Sequence, residues 1–283
     1  MRNDFAIFIL THGRADNVKT AHTLERCGNT NKIYYIVDNE DDQIDKYKAN
    51  FGEENVVVFD KLAVSKTIDT MDLSPDRRAI VYARNVSFDI AKKLGLTYFL
   101  QLDDDYTRFE FRWGEGDKLK TIFIENIDDV VDMFLDFLEK TSATTVALAQ
   151  GGDLLGGVNG TKFQMGLLRK AMNSFFCKVD RPFKFFGRIN EDVNTYVKLG
   201  SIGKLFFTIT SVDLVQTATQ ANAGGMSGLY CDAGTYVKSF YAIIANPSCV
   251  KIAEMGASHK RIHHTVDWER AVPKIISSDF KKI

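Results

Sequence analysis

The sequence predicts an α/β fold: a Rossmann-type, mostly parallel central sheet flanked by helices, followed by a less regular C-terminal half. Three observations predict it. Through the first hundred residues, short apolar runs alternate with segments of helical period, the pattern of βαβ units. The helical segments close on glycines, at Gly28, Gly52 and Gly95. The fourth apolar run, Tyr98-Phe99-Leu100-Gln101-Leu102, leads straight into Asp103, Asp104 and Asp105. That places three carboxylates at the carboxyl end of a buried strand, where open α/β sheets bind their ligands.

Taken in order, Phe5 to Leu10 reads as a strand and Thr11-His12-Gly13-Arg14 as the turn after it. A helix follows, capped by Asp16 or Asn17, with Val18, Ala21 and Leu24 on one stripe. Lys32 to Val37 is the second strand. The next helix carries Ile44, Tyr47 and Phe51 on one face, and Val56 to Phe59 is the third strand. Lys61 to Asp72 is polar and irregular. Ser74-Pro75-Asp76 then signals a helix start, with a capping hydroxyl, a proline in the first turn and an early acid. That helix is expected to turn Ile80, Ala83, Val86 or Ser87, Ile90 and Leu94 inward. Beyond the triplet, Asp128 to Lys140 is an amphipathic helix, and Thr144 to Ala149 a β-branched and apolar strand. Gly151 to Gly160 reads as a hairpin or mobile loop, and Phe163 to Lys178 as a strand pair or a strand-helix unit. Val193 to Leu199 has helical spacing, and Tyr236 to Ile244 a helix that stops before Pro247. The glycines between Leu214 and Tyr236 suit a loop that reshapes around a ligand.

The chain has 283 residues, 45% hydrophobic and 12% aromatic, which excludes a disordered polymer. It reads as a single domain, 1–283, made of a nucleotide-binding half (1–110) and a second half (111–283). The formal net charge of −1 offers no global basic field, so a polyanionic partner would need a local patch. Four cysteines lie far apart with no metal-ligand spacing. The first apolar run is too short for a signal core or a membrane span. A soluble cytoplasmic protein without membrane contact is expected.

Three clusters are candidates for chemistry. At an effective dielectric near 20, two carboxylates about 5 Å apart repel by roughly 3 kcal/mol, so the triplet calls for a cation. In the D-x-D pair Asp103 and Asp105, one carboxylate can hold Mn²⁺ or Mg²⁺ while the other meets a ribose or a metal-bound water. The alternative is a solvated acidic turn. Nearby, Thr11, Gly13 and Arg14 can approach a phosphate, and Asp38 can accept from a base or ribose, or else cap a helix. Arg84 lies mid-helix, either solvated or turned toward a diphosphate. The second cluster is Gly187-Arg188-Ile189-Asn190-Glu191-Asp192, where Glu191 or Asp192 at a helix start could serve as general base or merely complement the helix dipole. The third is His259-Lys260-Arg261-Ile262-His263-His264. It reads as a solvated basic stretch, or as the source of an imidazole that completes a metal shell, with Lys260 and Arg261 meeting phosphates.

The order of these elements resembles the GT-A glycosyltransferases. The later motifs resemble one branch, the TET/JBP-associated glycosyltransferases of bacteriophages: Asn190-Glu191-Asp192-Val193-Asn194-Thr195, Gly234-Thr235-Tyr236-Val237-Lys238-Ser239 and Arg261-Ile262-His263-His264. Thr11-His12-Gly13-Arg14 and the Leu102-Asp105 step agree with it. The resemblance implies a GT-A-like fold with an acceptor-binding second half. It implies metal binding by Asp103, Asp105 and His263 or His264, nucleotide-sugar binding by the first half (Asp104 among its residues), and a base role for Asp192. It also implies transfer of sugar, with inversion, from a UDP-sugar to a hydroxymethylated pyrimidine, 5-hydroxymethylcytosine foremost, in phage DNA inside the host. Ala221 to Gly228 with Lys260 and Arg261 would then face the DNA. A GT-A enzyme acting on a glycan, lipid or protein remains an alternative, as does a sugar nucleotidyltransferase, though only Gly13 stands where the latter needs a glycine-rich loop.

Overall fold

The computed structural model describes residues 2–216, 236–255 and 260–273. The first half alternates as the pattern demands: β1 (Phe5–Leu10), α1 (Lys19–Arg26), β2 (Lys32–Asp38), α2 (Ile44–Phe51), β3 (Val56–Phe59), α3 (Lys61–Ser65), α4 (Val81–Lys93) and β4 (Tyr98–Asp103). Two strands the sequence reading did not pick out follow, β5 (Tyr106–Glu115) and β6 (Lys118–Phe123). Then come α5 (Ile127–Lys140), β7 (Thr145–Ala149), α6 (Thr161–Met165), β8 (Leu167–Leu168), β9 (Phe175–Lys178), α7 (Glu191–Ser201) and β10 (Phe206–Gln216). A last unit holds α8 (Val237–Ala245) and the pair β11 (Val250–Met255) and β12 (Arg261–Val266).

One ten-stranded sheet runs β3-β2-β1-β4-β9-β7-β10-β5-β6, with β8 also on β10. Only β5, β8 and β9 oppose the common direction. The mostly parallel sheet flanked by helices is therefore borne out. β1 is buried at every position, as a strand covered on both faces must be. One core layer contains Leu24, Phe134 and Leu138 from α1 and α5. The opposite layer contains Tyr82, Phe88 and Val197 from α4 and α7. Among the described residues no helix is long and apolar enough to cross a membrane.

Several local expectations are corrected. Asp16 and Asn17 do not cap α1. Its N-cap is Val18, without a side-chain bond, and the Thr20 amide is served instead by the Asp104 carbonyl at 3.1 Å. Ser74-Pro75-Asp76 does not start a helix. Asp72, Ser74 and Asp76 each accept from the backbone two residues on, at 3.1, 3.2 and 2.9 Å, turns that compete with helix, and α4 begins at Val81. Its buried stripe includes Val81, Arg84, Ser87, Phe88 and Ala91, while Leu94 is exposed. The Gly151–Gly160 stretch is neither a hairpin nor bare loop; it holds two 3-10 turns. Phe163–Lys178 resolves into the end of α6, β8 and β9. The glycine stop of α1 holds: Gly28 has φ +67, and a Cβ there would meet the Glu125 carbonyl oxygen at 2.8 Å.

Candidate active site

The carboxyl ends of β1, β2 and β4 converge, and the loop before α7 comes to meet them. The turn after β4 is fixed by α1: Thr20 Oγ1 donates to the Asp103 carbonyl at 2.6 Å and accepts from the Tyr106 amide at 3.0 Å. The three carboxylates leave that turn in different company.

Asp104 is buried. It accepts from Thr11 Oγ1 at 2.8 Å and from Arg14 Nη1 at 2.6 Å. Burial raises its carboxyl above the ordinary range although Arg14 pulls the other way. Thr11 and Arg14 are thus tied to Asp104. Tyr47, which sequence reading placed only as packing, bonds both, with its phenol 2.9 Å from Thr11 Oγ1 and accepting from the Arg14 amide at 2.8 Å. Gly13 sits at φ +66, where a side chain would be strained, and its amide donates to Asp41 Oδ2 at 2.7 Å.

Asp38 is likewise committed to protein partners. His12 Nδ1 lies 2.8 Å from its Oδ2, and the buried Lys61 Nζ lies 3.2 Å from its Oδ1. Burial opposes ionisation, but the bond from His12 and the nearby charges of His12 and Lys61 hold the carboxyl below its usual value. His12 is raised, chiefly by its bond to Asp38. Neither partner was legible beforehand, since a histidine in a turn and a lysine in a polar stretch carry no pairing signal.

Asp103 and Asp105 form the electrostatically strained part. Burial pushes Asp103 up to about 7, with Asp105, Glu191 and Asp104 adding to it against Arg84. Burial and then the charge of Asp104 push Asp105 to about 6. Two acids reluctant to ionise therefore sit together at the sheet end, held up by burial and by neighbouring carboxylates.

Arg84 joins this cluster to the second one. It is 1% exposed, not solvated on a helix surface as its mid-helix position also allowed. Its Nε donates to Glu191 Oε1 at 2.8 Å and its Nη2 to Asp103 Oδ1 at 3.1 Å. The guanidinium lies 4.8 Å from the Phe175 ring centre and 5.8 Å from that of Phe185. Burial would lower its basicity; Asp103 and Glu191 outweigh that and hold it charged. The adjacent Asn85 grips the loop before α7, donating to the Phe185 carbonyl and accepting from the Phe185 amide, both at 2.9 Å.

Asn190 turns the chain at φ 60 into α7, whose first residues are Glu191 and Asp192. Glu191 is taken by Arg84. Asp192 Oδ1 accepts from the Val193 amide at 2.7 Å. Burial, then the charge of Glu191, raises Asp192 to about 6. Lys170, itself paired with Asp153, pulls Asp192 the other way.

The histidines lie on a different sheet from the D-x-D acids. His263 and His264 lie on β12, which pairs only with β11 in a second sheet against α8. Burial, then His263 and Lys238, lowers His264 to about 4, so the imidazole is neutral. No three His, Cys, Asp or Glu side chains among the described residues converge to hold a metal. Both histidines lie on a sheet separate from the one whose β4 ends in Asp103. Lys260 is exposed and pairs with Glu254 at 2.8 Å. Ala221 to Gly228, with the glycine-rich stretch around it, and His259 lie outside the described residues.

Acids at the carboxyl ends of a mostly parallel sheet, joined through Arg84 to a second acid pair at a helix start, lie where α/β enzymes bind their ligands. The family described as TET-Associated Glycosyltransferase matches residues 5–225, and the chain belongs to it; it is a glycosyltransferase. No curated protein matches the chain. Solved structures similar to it include glucosyl-3-phosphoglycerate synthase from Mycobacterium tuberculosis with Mn²⁺, uridine diphosphate and phosphoglyceric acid. That likeness is 11% identical over 93% of this chain and 86% of the other, with TM-score 0.45. Another is S. aureus TarS 1–349, 12% identical over 86% and 65% of the two chains, TM-score 0.43.

Proposed function

We propose that this glycosyltransferase moves a sugar from a UDP-sugar to the hydroxymethyl group of a 5-hydroxymethylpyrimidine in DNA, 5-hydroxymethylcytosine foremost, with inversion at the anomeric carbon. The observation that carries the reading is the bridge through Arg84. Its bonds tie Asp103 of the D-x-D pair to Glu191, next to Asp192, which supports reading a donor-side and an acceptor-side acid as parts of one site.

Residues 1–110 hold the donor in this reading, and 111–283 the acceptor. Asp103 and Asp105 fit a divalent cation, because burial and neighbouring carboxylates make each resist ionisation, and Mg²⁺ or Mn²⁺ commonly takes only one or two carboxylates beside the substrate's phosphates. When bound, Mn²⁺ or Mg²⁺ supplies charge against the diphosphate as it departs. Arg14 and Asp104 shape the floor under that diphosphate, and Gly13 leaves the backbone open to it. His12 and Asp38 face the nucleoside as a pair. Asp192, with its raised affinity for a proton, accepts one from the acceptor hydroxyl as that oxygen attacks the anomeric carbon from the face opposite the leaving group. A base in duplex DNA must first be extruded to present its hydroxymethyl group.

Mass spectrometry of hydroxymethylcytosine-containing and unmodified DNA, after incubation with a panel of UDP-sugars and Mn²⁺, tests the reading. A hexose or pentose mass added only to the modified DNA is expected. Transfer to neither DNA, with donor hydrolysis intact, would move the acceptor to a glycan, lipid or protein.

A further inference from the structure

We infer that Arg84 is a positioning residue that sets the spacing between the donor-side carboxylate Asp103 and the helix start that carries Asp192, and that reserves Asp192 as the base by occupying Glu191. The inference rests on the glycosyltransferase reading above and goes beyond it, because Arg84 is placed on neither substrate.

The geometry carries it. A guanidinium is a rigid planar fork, so two bonds from different nitrogens, Nε to Glu191 and Nη2 to Asp103, fix two carboxylates relative to each other. Phe175 and Phe185 hold the plane of that fork from the side. The position of its backbone is set as well: Gln101 Nε2, from β4, donates to the Arg84 carbonyl at 2.9 Å. One turn of α4 thereby touches β4, the D-x-D acid, the loop before α7 through Asn85, and the start of α7 itself.

Stability alone does not account for the arrangement. A buried charge network is often matched or bettered by apolar residues of similar volume. This one also leaves Arg84 Nη1 buried without a hydrogen-bond partner among the described residues, a loss that a purely structural contact would avoid. What an apolar pair could not supply is a fixed separation between two acids with different tasks. A displacement of about 1 Å there is enough to lower turnover by two orders of magnitude.

The test uses the full chain with Mn²⁺ and UDP-glucose, or whichever UDP-sugar the panel identifies, on hydroxymethylcytosine DNA. Arg84→Lys keeps the charge and removes the fork. The expected result is a fall in kcat of about tenfold or more, with the donor KM within about threefold and Mn²⁺-dependent UDP binding retained. Glu191→Gln reads the same bridge from its other end and should give the same split. Combining the two should cost no more in kcat than the worse single change, because both break one bridge. Wild-type kcat in a folded Arg84→Lys protein, or losses that multiply in the double variant, would overturn the inference. Should Arg84→Lys fail to fold, Glu191→Gln decides alone: reduced kcat at unchanged KM supports the bridge, and unchanged kcat removes it. A wild-type protein that neither binds UDP nor turns over any donor would instead bring down the functional reading, and the inference with it.

Discussion

Replacing Asp192 with asparagine removes a charge that the fold holds against its own burial, and the effect on stability can be worked out before any activity is measured. Burial and the neighbouring Glu191 raise this carboxyl from 3.8 to about 6. A rise of roughly two units corresponds to about 3 kcal/mol at 1.36 kcal/mol per unit, an upper figure because the denatured chain retains some structure. The sign follows from linkage. A carboxyl whose folded-state value is raised favours the fold while protonated; that contribution is complete below about 3.8 and is lost as pH rises through about 6. Asparagine is neutral at every pH and can still accept the bond from the Val193 amide. Asp192→Asn should therefore be more stable than wild type at pH 8, by up to about 3 kcal/mol, and should lose that advantage toward pH 4. At about 2–4 °C per kcal/mol for a chain of this size, thermal melts at the two pH values resolve the difference. Turnover should fall by about 10²-fold or more with donor affinity nearly intact. Equal stability offsets at pH 8 and pH 4 would refute the reasoning, because they would mean that Asp192 carries no penalty for its charge. Near-normal turnover would remove it as the base.

Three further outcomes are expected. Asp105→Ala should abolish the Mn²⁺-stimulated part of UDP binding measured by calorimetry, and unchanged stimulation would dismiss Asp105 as a ligand. Lys61→Met leaves Asp38 buried with His12 as its only charged partner at close range, and should cost about 3 kcal/mol in urea denaturation at pH 7. Because Asp38 is held low in the fold, its share of stability is present above its unfolded value and lost as pH falls, so the cost should shrink toward pH 3. Gly187→Ala forces a side chain into φ +83 and onto the Asn194 amide, with Met71 Sδ 3.1 Å away. A loss of about 1–3 kcal/mol in thermal unfolding is expected, with the start of α7 displaced.

The elements most legible in the sequence are those whose period and boundary signals agree. β1, β4 and β7 are short apolar runs buried on both faces, β2 is buried from Tyr35 to Asp38, and α5 shows a full stripe in Val131, Phe134, Leu135 and Leu138. The position of the acid triplet was readable because it depends only on where β4 ends. β5, β6 and β10 were not legible: β5 mixes buried and exposed positions, β6 has no fully buried position, and β10 pairs with β5 about a hundred residues away. Arg84 shows the same limit within the site. Nothing local distinguishes a solvated helical arginine from one that meets Asp103 and Glu191, since the second acid lies 107 residues further on. For a related reason, motif order along a chain says nothing about whether β12 and β4 end in the same place.

The sheet's strand order also bears on how the chain can be made. β9 fills the gap between β4 and β7, pairing with Tyr98–Gln101 on one side and Thr145–Val146 on the other. Until the ribosome has released Lys178, those two strands present bare hydrogen-bonding edges to solvent, several seconds at about 5–20 residues per second. A fragment ending before that strand would carry both raw edges permanently and would be expected to precipitate.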